Sequence, residues 1–240
     1  MRKTSKIFKR MSELNAITSR MDMHMHTTWT DGKASMREML DRAESNGLTS
    51  VAVTDHIRQV SDYYTDYLEE LETYRGAYSF ALFSGFEAKI NSIEGTIDIP
   101  TQASNTADII IASVHRIPLD GTLGYPKDIS SDRLALLEKQ LCLTAIDNQG
   151  KEDATTSRIN VIGHCGGMSI STYGTFPNEY FEDVIKACKK NDVAFEFNYK
   201  YHYRFEDEIK ALLLQYDPFV SVGSDAHEIE KISNRSFVDG

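Results

Sequence analysis

Six of the seven histidines in this chain lie at or just after the end of a short apolar run. Such runs, rich in Val, Ile and Phe, are typical of buried β-strands. A strand that ends in histidine presents an imidazole at the rim of a sheet, and imidazole is the commonest metal ligand in proteins. The repeated placement therefore predicts a metal site at a rim that many strands share. The six residues are His24, His26, His56, His115, His164 and His227.

Seven apolar runs alternate with amphipathic stretches. Near-continuous apolar runs are typical of parallel strands buried on both faces, and alternating strands and helices predict a parallel α/β sheet. An open doubly wound sheet usually carries a glycine-rich phosphate loop, but the sequence contains no GxGxxG or GxxxxGK[ST] pattern. Candidate ligands at nearly every strand end instead favour a closed (β/α) barrel. We predict strands at 21–26, 50–54, 79–86, 108–114, 159–163, 193–197 and 219–222.

Helix-start and helix-stop residues lie between these runs. Ser35 and Glu38 form a capping-box pattern, and Asn46-Gly47 provides a stop, so a helix is predicted between them. Further helices are predicted over 133–143 and from about residue 178, and another carries Ile209, Leu212 and Leu213 and ends before Asp217-Pro218, because proline disfavours helical geometry at the residue before it.

Composition limits the functions to be considered. The 240 residues are 41% hydrophobic and 26% charged, which suits one large globular domain. The net charge of −10 disfavours a protein that grips extended nucleic acid, although bound cations can reverse the local field for a small anionic substrate. No apolar run has the length of a membrane helix, and Cys142, Cys165 and Cys188 form no CxxC pair. We therefore predict a cytoplasmic protein without a membrane partner and leave the oligomeric state open.

The first twenty residues differ in charge from the rest of the chain. They contain six basic residues and one acid, without the apolar segment of a secretory signal. An organellar transit peptide is an alternative, but the preferred prediction is a solvated or frayed basic extension over residues 1–20. Residues 21–240 would form the functional domain.

The candidate metal ligands are His24, His26, Asp31, His56, Glu87, His115, His164, Asp225 and His227. His24 and His26 alternate with methionines, so both imidazoles face one side of a strand. Asp225 and His227 form a second pair with this period. One catalytic zinc ion uses three protein ligands, so this imidazole and carboxylate set suits two or three ions of zinc, manganese or iron.

Seven motifs follow one another along the chain. They are HxHxxxxDG at 24–32, VTDH at 53–56, GFE at 85–87, SVH at 113–115, IGH at 162–164, FEFN at 195–198 and GSDAH at 223–227. In this order they resemble the motifs of the PHP (polymerase and histidinol phosphatase) family, over about residues 21–230. The resemblance implies a single-domain, distorted seven-stranded (β/α)7 TIM-like barrel with a trinuclear metal site.

The resemblance also implies a role for each ligand. One ion would be held by His24, His26, Glu87 and Asp225. A second would be held by Glu87, His115 and His164, and a third by Asp31, His56 and His227. The expected nucleophile is a metal-bridging hydroxide at Glu87, His115 and His164, because cations lower the pKa of bound water. Asp55 and Glu196 are expected to orient the ligands.

The substrate-binding residues are marked less clearly. Histidinol phosphatases of the family hold phosphate with arginines, and the resemblance makes Arg204 and Arg116 candidates, although either could equally be a solvated surface residue. Cys165 stands where many relatives carry proline and is expected to be a small buried residue rather than a ligand. His202, the seventh histidine, is expected to be a loop residue.

These expectations favour a metal-dependent hydrolase of phosphate monoesters of small metabolites. The best single interpretation is L-histidinol phosphate as substrate, and hence a role in histidine biosynthesis. A nuclease or a protein-tyrosine phosphatase of the same family stays open as an alternative. So does a metal-dependent amidohydrolase, although that class usually bridges its metals with a lysine. A metal-stabilised scaffold without turnover is the least favoured interpretation.

Overall fold

A mostly parallel sheet lies at the centre of the fold. The computed structural model describes residues 4–119, 122–125, 129–148 and 158–238. Its strands are β1 (Lys9–Arg10), β2 (Met21–Asp22), β3 (Ser50–Val53), β4 (His56–Ile57), β5 (Ala81–Lys89), β6 (Ile109–Ser113), β7 (Ile117–Leu119), β8 (Thr122–Gly124), β9 (Val161–Ile162), β10 (Ala194–Asn198) and β11 (Phe219–Gly223). β7 and β8 form a separate antiparallel pair, and the other nine strands form the sheet.

All seven predicted strands are present, as β2, β3, β5, β6, β9, β10 and β11. These seven strands run parallel to one another, and their order across the sheet is their order in the chain. The predicted α/β fold with a parallel sheet is therefore confirmed. The short strand β4 was not predicted; it pairs with β5 and places His56 opposite Glu87.

The regular ladder does not close between β2 and β11, so the closed seven-stranded barrel is not confirmed. The two strands are linked by separate contacts. Met23 N–H donates to Val222 O at 2.8 Å, and one isolated bridge follows. Regular pairing stops here because the buried carboxylate of Asp22, and not a strand carbonyl, accepts the N–H of Ser224 at 2.9 Å.

Helices connect the strands. In the described part of the chain they are α1 (Met36–Ser45), α2 (Tyr64–Tyr74), α3 (Thr101–Thr106), α4 (Ser131–Asp147), α5 (Gly167–Tyr173), α6 (Asn178–Asn191), α7 (Tyr199–His202) and α8 (Glu206–Tyr216). The predicted capping box of α1 is confirmed, with Ser35 Oγ accepting the N–H of Glu38. α4 extends beyond both ends of its predicted range of 133–143. Within the described residues, no helix combines the length and apolar character needed to cross a membrane.

The N-terminal segment is part of the packed structure. β1 pairs antiparallel with β11 and places Arg10 opposite Phe219. Phe8 is only 3% exposed and belongs to the hydrophobic core. The expectation of a solvated or frayed extension is therefore wrong for residues 4–13. The physical reason is that an apolar side chain among the charged ones anchors the segment at an open sheet edge. The domain boundary after residue 20 stays a prediction.

Candidate metal centre

The nine predicted ligands come together at one edge of the sheet. Seven of them line a pocket of about 570 Å³, and the other two, His24 and His26, are fully buried against them. Glu87 lies within β5, whereas His115 and His164 each follow their strand by two residues. Because parallel strands end at the same edge of a sheet, these side chains meet there.

Glu87 is the centre of the cluster. Its side chain is 1% exposed, and its two oxygens lie within 3.5 Å of ring nitrogens of five histidines. These are His24 at 3.4 Å, His26 at 3.5 Å, His56 at 2.9 Å, His115 at 3.1 Å and His164 at 2.9 Å. Burial alone would raise the pKa of the Glu87 carboxyl, but the surrounding histidines, His115 and His24 foremost, hold that pKa well below its usual range. Glu87 is therefore an ionised carboxylate that several imidazoles share.

The two histidines after β2 have ring nitrogens without a hydrogen-bond partner among the described residues. His26 Nε2 lies 3.1 Å from Asp225 Oδ1, and His24 Nδ1 lies 2.8 Å from Glu196 Oε1. His26 Nδ1 and His24 Nε2 are buried and have no hydrogen-bond partner among the described residues. Buried polar atoms are rarely left unpaired in a native protein. A bound species that is not part of the chain is therefore expected at these nitrogens.

The ligand atoms form three overlapping groups, in each of which all atoms lie within 4.8 Å of one another. The groups are His26, Asp31, His56 and His227; His24, His26 and Glu87; and His56, Glu87 and His115. Asp31 faces two rings, with Oδ2 at 3.4 Å from His56 Nε2 and Oδ1 at 3.4 Å from His227 Nε2. His26 and His56 each belong to two groups. The order of the motifs along the chain does not reveal that two groups share these residues.

Glu196 contacts two of the candidate ligands, on the side of β9 and β10. It accepts a hydrogen bond from His164 N–H at 2.6 Å, and its other oxygen contacts the His24 ring. Gly223 leaves space for this carboxylate, since a Cβ there would lie 2.4 Å from Glu196 Oε1. The glycine that opens the GSDAH motif is thus required by the close approach of an orienting side chain.

Asp55 forms its hydrogen bonds with a turn of the chain rather than with a histidine ring. Its carboxylate accepts hydrogen bonds from Thr27 N–H at 2.9 Å and Thr27 Oγ1 at 2.8 Å. It also accepts one from Thr30 Oγ1 at 2.6 Å. These bonds hold the turn that carries Asp31, one of the candidate ligands.

Two of the candidate ligands have an unusual backbone conformation. His164 has a φ of 24° and Asp225 a φ of 52°, in the left-handed region that residues other than glycine seldom adopt. Gly163, directly before His164, approaches β6 so closely that a Cβ would lie 2.2 Å from Ser113 Oγ. Backbone strain of this kind concentrates at functional sites, where surrounding contacts hold a side chain in place.

Of the two predicted substrate arginines, the structure brings Arg116 to the pocket and leaves Arg204 outside it. Arg116 Nη1 donates to His115 O at 2.8 Å, and its guanidinium lies 3.4 Å from the centre of the Tyr125 ring. Arg204 is exposed, and its guanidinium lies 5.3 Å from the centre of the Tyr203 ring. The reason is that the chain after β10 forms α7 and then a 3-10 turn, which directs Arg204 away from the pocket.

Lys200 lines the pocket where the sequence suggests Arg204. Its Nζ lies 2.6 Å from Asp225 Oδ2, and Tyr201 OH donates to the same oxygen at 3.3 Å. Burial alone would lower the pKa of Lys200, but the Asp225 carboxylate raises it, so the amine is charged. The sequence carries no signal for Lys200, because its direction depends on where α7 begins. Arg58 and Lys89, which also line the pocket, follow His56 and Glu87 by two residues, so the period of a strand could have identified them.

His202 lies behind the pocket and not in a loop. It is fully buried at the end of α7, where Nδ1 accepts the N–H of Asn198 at 3.0 Å and Nε2 donates to Cys165 O at 2.8 Å. The expectation of a loop residue is therefore wrong, because the polar ring joins two main-chain groups that would otherwise be buried without partners. Cys165 is 1% exposed and is the small buried residue that the sequence predicts.

Acid is expected to destabilise the fold through His202. Burial lowers the pKa of its ring from 6.5 to about 4. As the pH falls, the unfolded chain takes up the proton first, so the stability contributed by the neutral ring is present above pH 6.5 and lost toward pH 4. We expect the parent to lose about 2 kcal/mol of unfolding free energy between pH 7 and pH 5 relative to His202→Gln, measured by urea unfolding. Parallel pH profiles of the two proteins would contradict this assignment.

Comparison with known proteins places this site in a family. A family model described as the PHP domain matches residues 22–200. A DNA polymerase/3'-5' exonuclease of Bacillus subtilis is 25% identical over 89% of this chain, which spans only 35% of that protein. A Vibrio parahaemolyticus protein named as a probable phosphatase is 28% identical over 91% of this chain and 82% of its own length.

Two solved structures share the fold. The histidinol phosphate phosphatase of Lactococcus lactis, solved with zinc, L-histidinol and phosphate, has a TM-score of 0.61 and 16% identity, over 87% of this chain and 86% of its own. A candidate histidinol phosphatase of Listeria monocytogenes has a TM-score of 0.67 and 16% identity, over 89% of this chain and 97% of its own. At this level of identity the likeness shows the α/β fold with its mostly parallel sheet.

Proposed function

This chain belongs to the PHP domain family, and from that premise we propose that it is a metal-dependent hydrolase of phosphate monoesters of small metabolites. The observation that carries the proposal is the cluster around Glu87, in which nine ligand-type side chains converge on one pocket. A pocket of about 570 Å³ suits a small substrate. L-histidinol phosphate, the substrate expected from the sequence, is one candidate within this class.

The residues of the cluster fit divalent metal ions. His24 Nε2 and His26 Nδ1 are buried nitrogens with no hydrogen-bond partner in the part of the chain that the structure describes, and the carboxylate of Glu87 is shared by several rings. We propose a trinuclear site with one ion held by His24, His26, Glu87 and Asp225, a second by Glu87, His115 and His164, and a third by Asp31, His56 and His227. Zinc, manganese and iron suit imidazole and carboxylate donors without thiolate. When bound, such ions neutralise phosphate oxygens and lower the pKa of water.

The chain's own residues bind and orient the phosphate. Lys200 Nζ and Tyr201 OH lie beside Asp225 at the pocket wall, where both can donate to phosphate oxygens. Arg116 adds a fixed positive charge, because its contacts with His115 O and the Tyr125 ring restrict its guanidinium. In the reaction a water oxygen bonds to phosphorus, the ester bond breaks, and the leaving oxygen takes a proton. No covalent intermediate on a protein side chain is needed.

The metal-loaded protein is expected to release inorganic phosphate from small monoesters. The panel would contain p-nitrophenyl phosphate, L-histidinol phosphate and a phosphotyrosine peptide. His115→Ala removes a ligand at the edge of the cluster and is expected to lower kcat/KM by about 100-fold or more. Arg204→Gln, outside the pocket, is the matched control and should keep the parent rate. If the protein hydrolyses no substrate of the panel, and His115→Ala does not differ from the parent, the proposal is wrong.

A nuclease is the second candidate, since one relative is a DNA polymerase/3'-5' exonuclease. The chain spans only 35% of that relative, and its net charge of −10 offers little attraction for extended nucleic acid. Cleavage of oligonucleotides faster than of any monoester in the panel would favour this candidate over a monoesterase.

We also propose that the contacts between the first and last parallel strands close the sheet into a distorted (β/α)7 barrel. Besides the Met23–Val222 bond, Asp225 N–H donates to His24 O at 2.9 Å, so two ligand segments support each other through the main chain. A cytoplasmic location stays a prediction.

A further inference from the structure

A second layer of side chains stands above the ligands in the pocket, and it is positively charged. In the pairing of β4 with β5, His56 lies opposite Glu87, and Ile57 lies opposite Ala88. Side chains alternate between the two faces of a strand, so the next residue on the ligand face of β5 is Lys89, and Arg58 continues the same face after β4. Both line the pocket, whereas Ala88, between Glu87 and Lys89, is buried and does not line it.

The layer carries more positive charge than its own surroundings neutralise. Lys89 Nζ pairs with Asp98 Oδ2 at 3.3 Å. Neither the exposed guanidinium of Arg58 nor that of Arg116 has a carboxylate oxygen of the described residues within 4.0 Å. With three cations and one acid, this rim of Arg58, Lys89, Arg116 and Asp98 has an excess of two positive charges.

We propose that the substrate is a phosphate monoester with a second anionic group, phosphate or carboxylate, which the rim binds. This inference rests on the proposed function and names the substrate class. The scissile phosphate lies among the ligands, and Arg58 and Lys89 stand two strand residues further out, on the order of 7 Å away. The second anion is therefore a few bonds from the ester oxygen. Arg58 and Arg116 are its partners, since both present guanidinium groups that have no acidic partner among the described residues.

The same rim disfavours a substrate with a cationic group near the phosphate. L-histidinol phosphate carries an ammonium group, which the guanidinium groups of Arg58 and Arg116 would repel in a pocket partly shielded from water. We therefore expect L-histidinol phosphate to be a poorer substrate than a monoester of similar size that carries a carboxylate.

Matched substrate pairs test this inference. For the metal-loaded protein, kcat/KM is expected to be at least tenfold higher for 3-phosphoglycerate than for glycerol 3-phosphate. The value for 3-phosphoglycerate is likewise expected to be higher than the value for L-histidinol phosphate. In the double variant Arg58→Gln/Arg116→Gln the ratio within each pair is expected to fall toward one. Arg37→Gln, an exposed arginine on α1 away from the pocket, is the control for net charge and should keep the parent ratio. Equal values for the pair in the parent, or an unchanged ratio in the double variant, would overturn the inference.

A binding measurement separates this inference from the proposed function. 3-Phosphonopropionate and propylphosphonate have a carbon–phosphorus bond in place of the ester and differ by one carboxylate. Calorimetry is expected to show at least tenfold tighter binding of 3-phosphonopropionate to the parent, and loss of that difference in Arg58→Gln/Arg116→Gln. If the affinities differ in this way but no monoester is hydrolysed, the rim would be supported as an anion-binding site and the proposed hydrolase activity would be contradicted. Equal affinities for both phosphonates would contradict the rim even if monoesters are hydrolysed.

Discussion

Replacing Glu87 with glutamine is expected to lower kcat/KM for phosphate monoesters by about 10³-fold, which corresponds to about 4 kcal/mol of transition-state stabilisation. The carboxylate lies within 3.5 Å of ring nitrogens of five histidines. An amide of the same shape has no negative charge and turns an N–H₂ group toward nitrogens that need an acceptor or a metal. The measurements are steady-state rates and elemental analysis of bound metal, and fewer ions per chain should accompany the loss of rate.

The matched control for this substitution is Glu206→Gln. Glu206 also forms ion pairs, with Lys210 at 3.0 Å and Arg235 at 2.8 Å, but it does not line the pocket. The control variant should keep the metal content and rate of the parent. If Glu87→Gln, shown by circular dichroism to be folded, kept the parent rate and metal content, Glu87 would not be a shared ligand.

Removal of metal by EDTA is expected to lower the Tm by about 10 °C. A ligand present at about 1,000 times its Kd adds about 4 kcal/mol to the stability of the folded state. For a chain of this size each kcal/mol shifts the Tm by about 2–4 °C. The large effect has a structural cause, because without ions the buried nitrogens of His24 and His26 lose their partners. Differential scanning calorimetry before and after chelation measures the shift, and added zinc or manganese should reverse it.

The chelation experiment has an internal control in Glu87→Gln, whose Tm should respond less to EDTA because it binds fewer ions. Elemental analysis must show that the treated parent has lost its metal. An unchanged Tm in protein that has demonstrably lost its ions would contradict a metal centre built into the fold.

The clustering of the candidate ligands could be predicted from the sequence because it depends on short-range patterns. The period of a strand places His24 and His26 on one face. Apolar runs that end before His115 and His164 mark the strand ends at which ligands meet, and parallel strands bring those ends to one edge. The start of α1 was predictable for the same reason, since its capping box involves residues three positions apart.

Features that depend on the path of the chain between elements were not predictable. Residues 1–20 are rich in charge, yet Phe8 packs in the core because β11 leaves an edge for β1. Arg204 fits a motif spacing, but α7 directs Lys200 to the pocket instead. No residue next to His202 in the sequence predicts its hydrogen bond to Cys165 O.

The sequence by itself determined which side chains could bind metal and where the parallel strands lie. The first follows from residue spacings of two along extended chain, and the second from near-continuous apolar runs. Only the tertiary structure decided which ligands share Glu87 and which cations form the rim above it. It also decided that Lys200, and not Arg204, faces Asp225. These outcomes depend on how helices and turns direct the chain after each strand, and residues far apart in sequence impose those directions through packing.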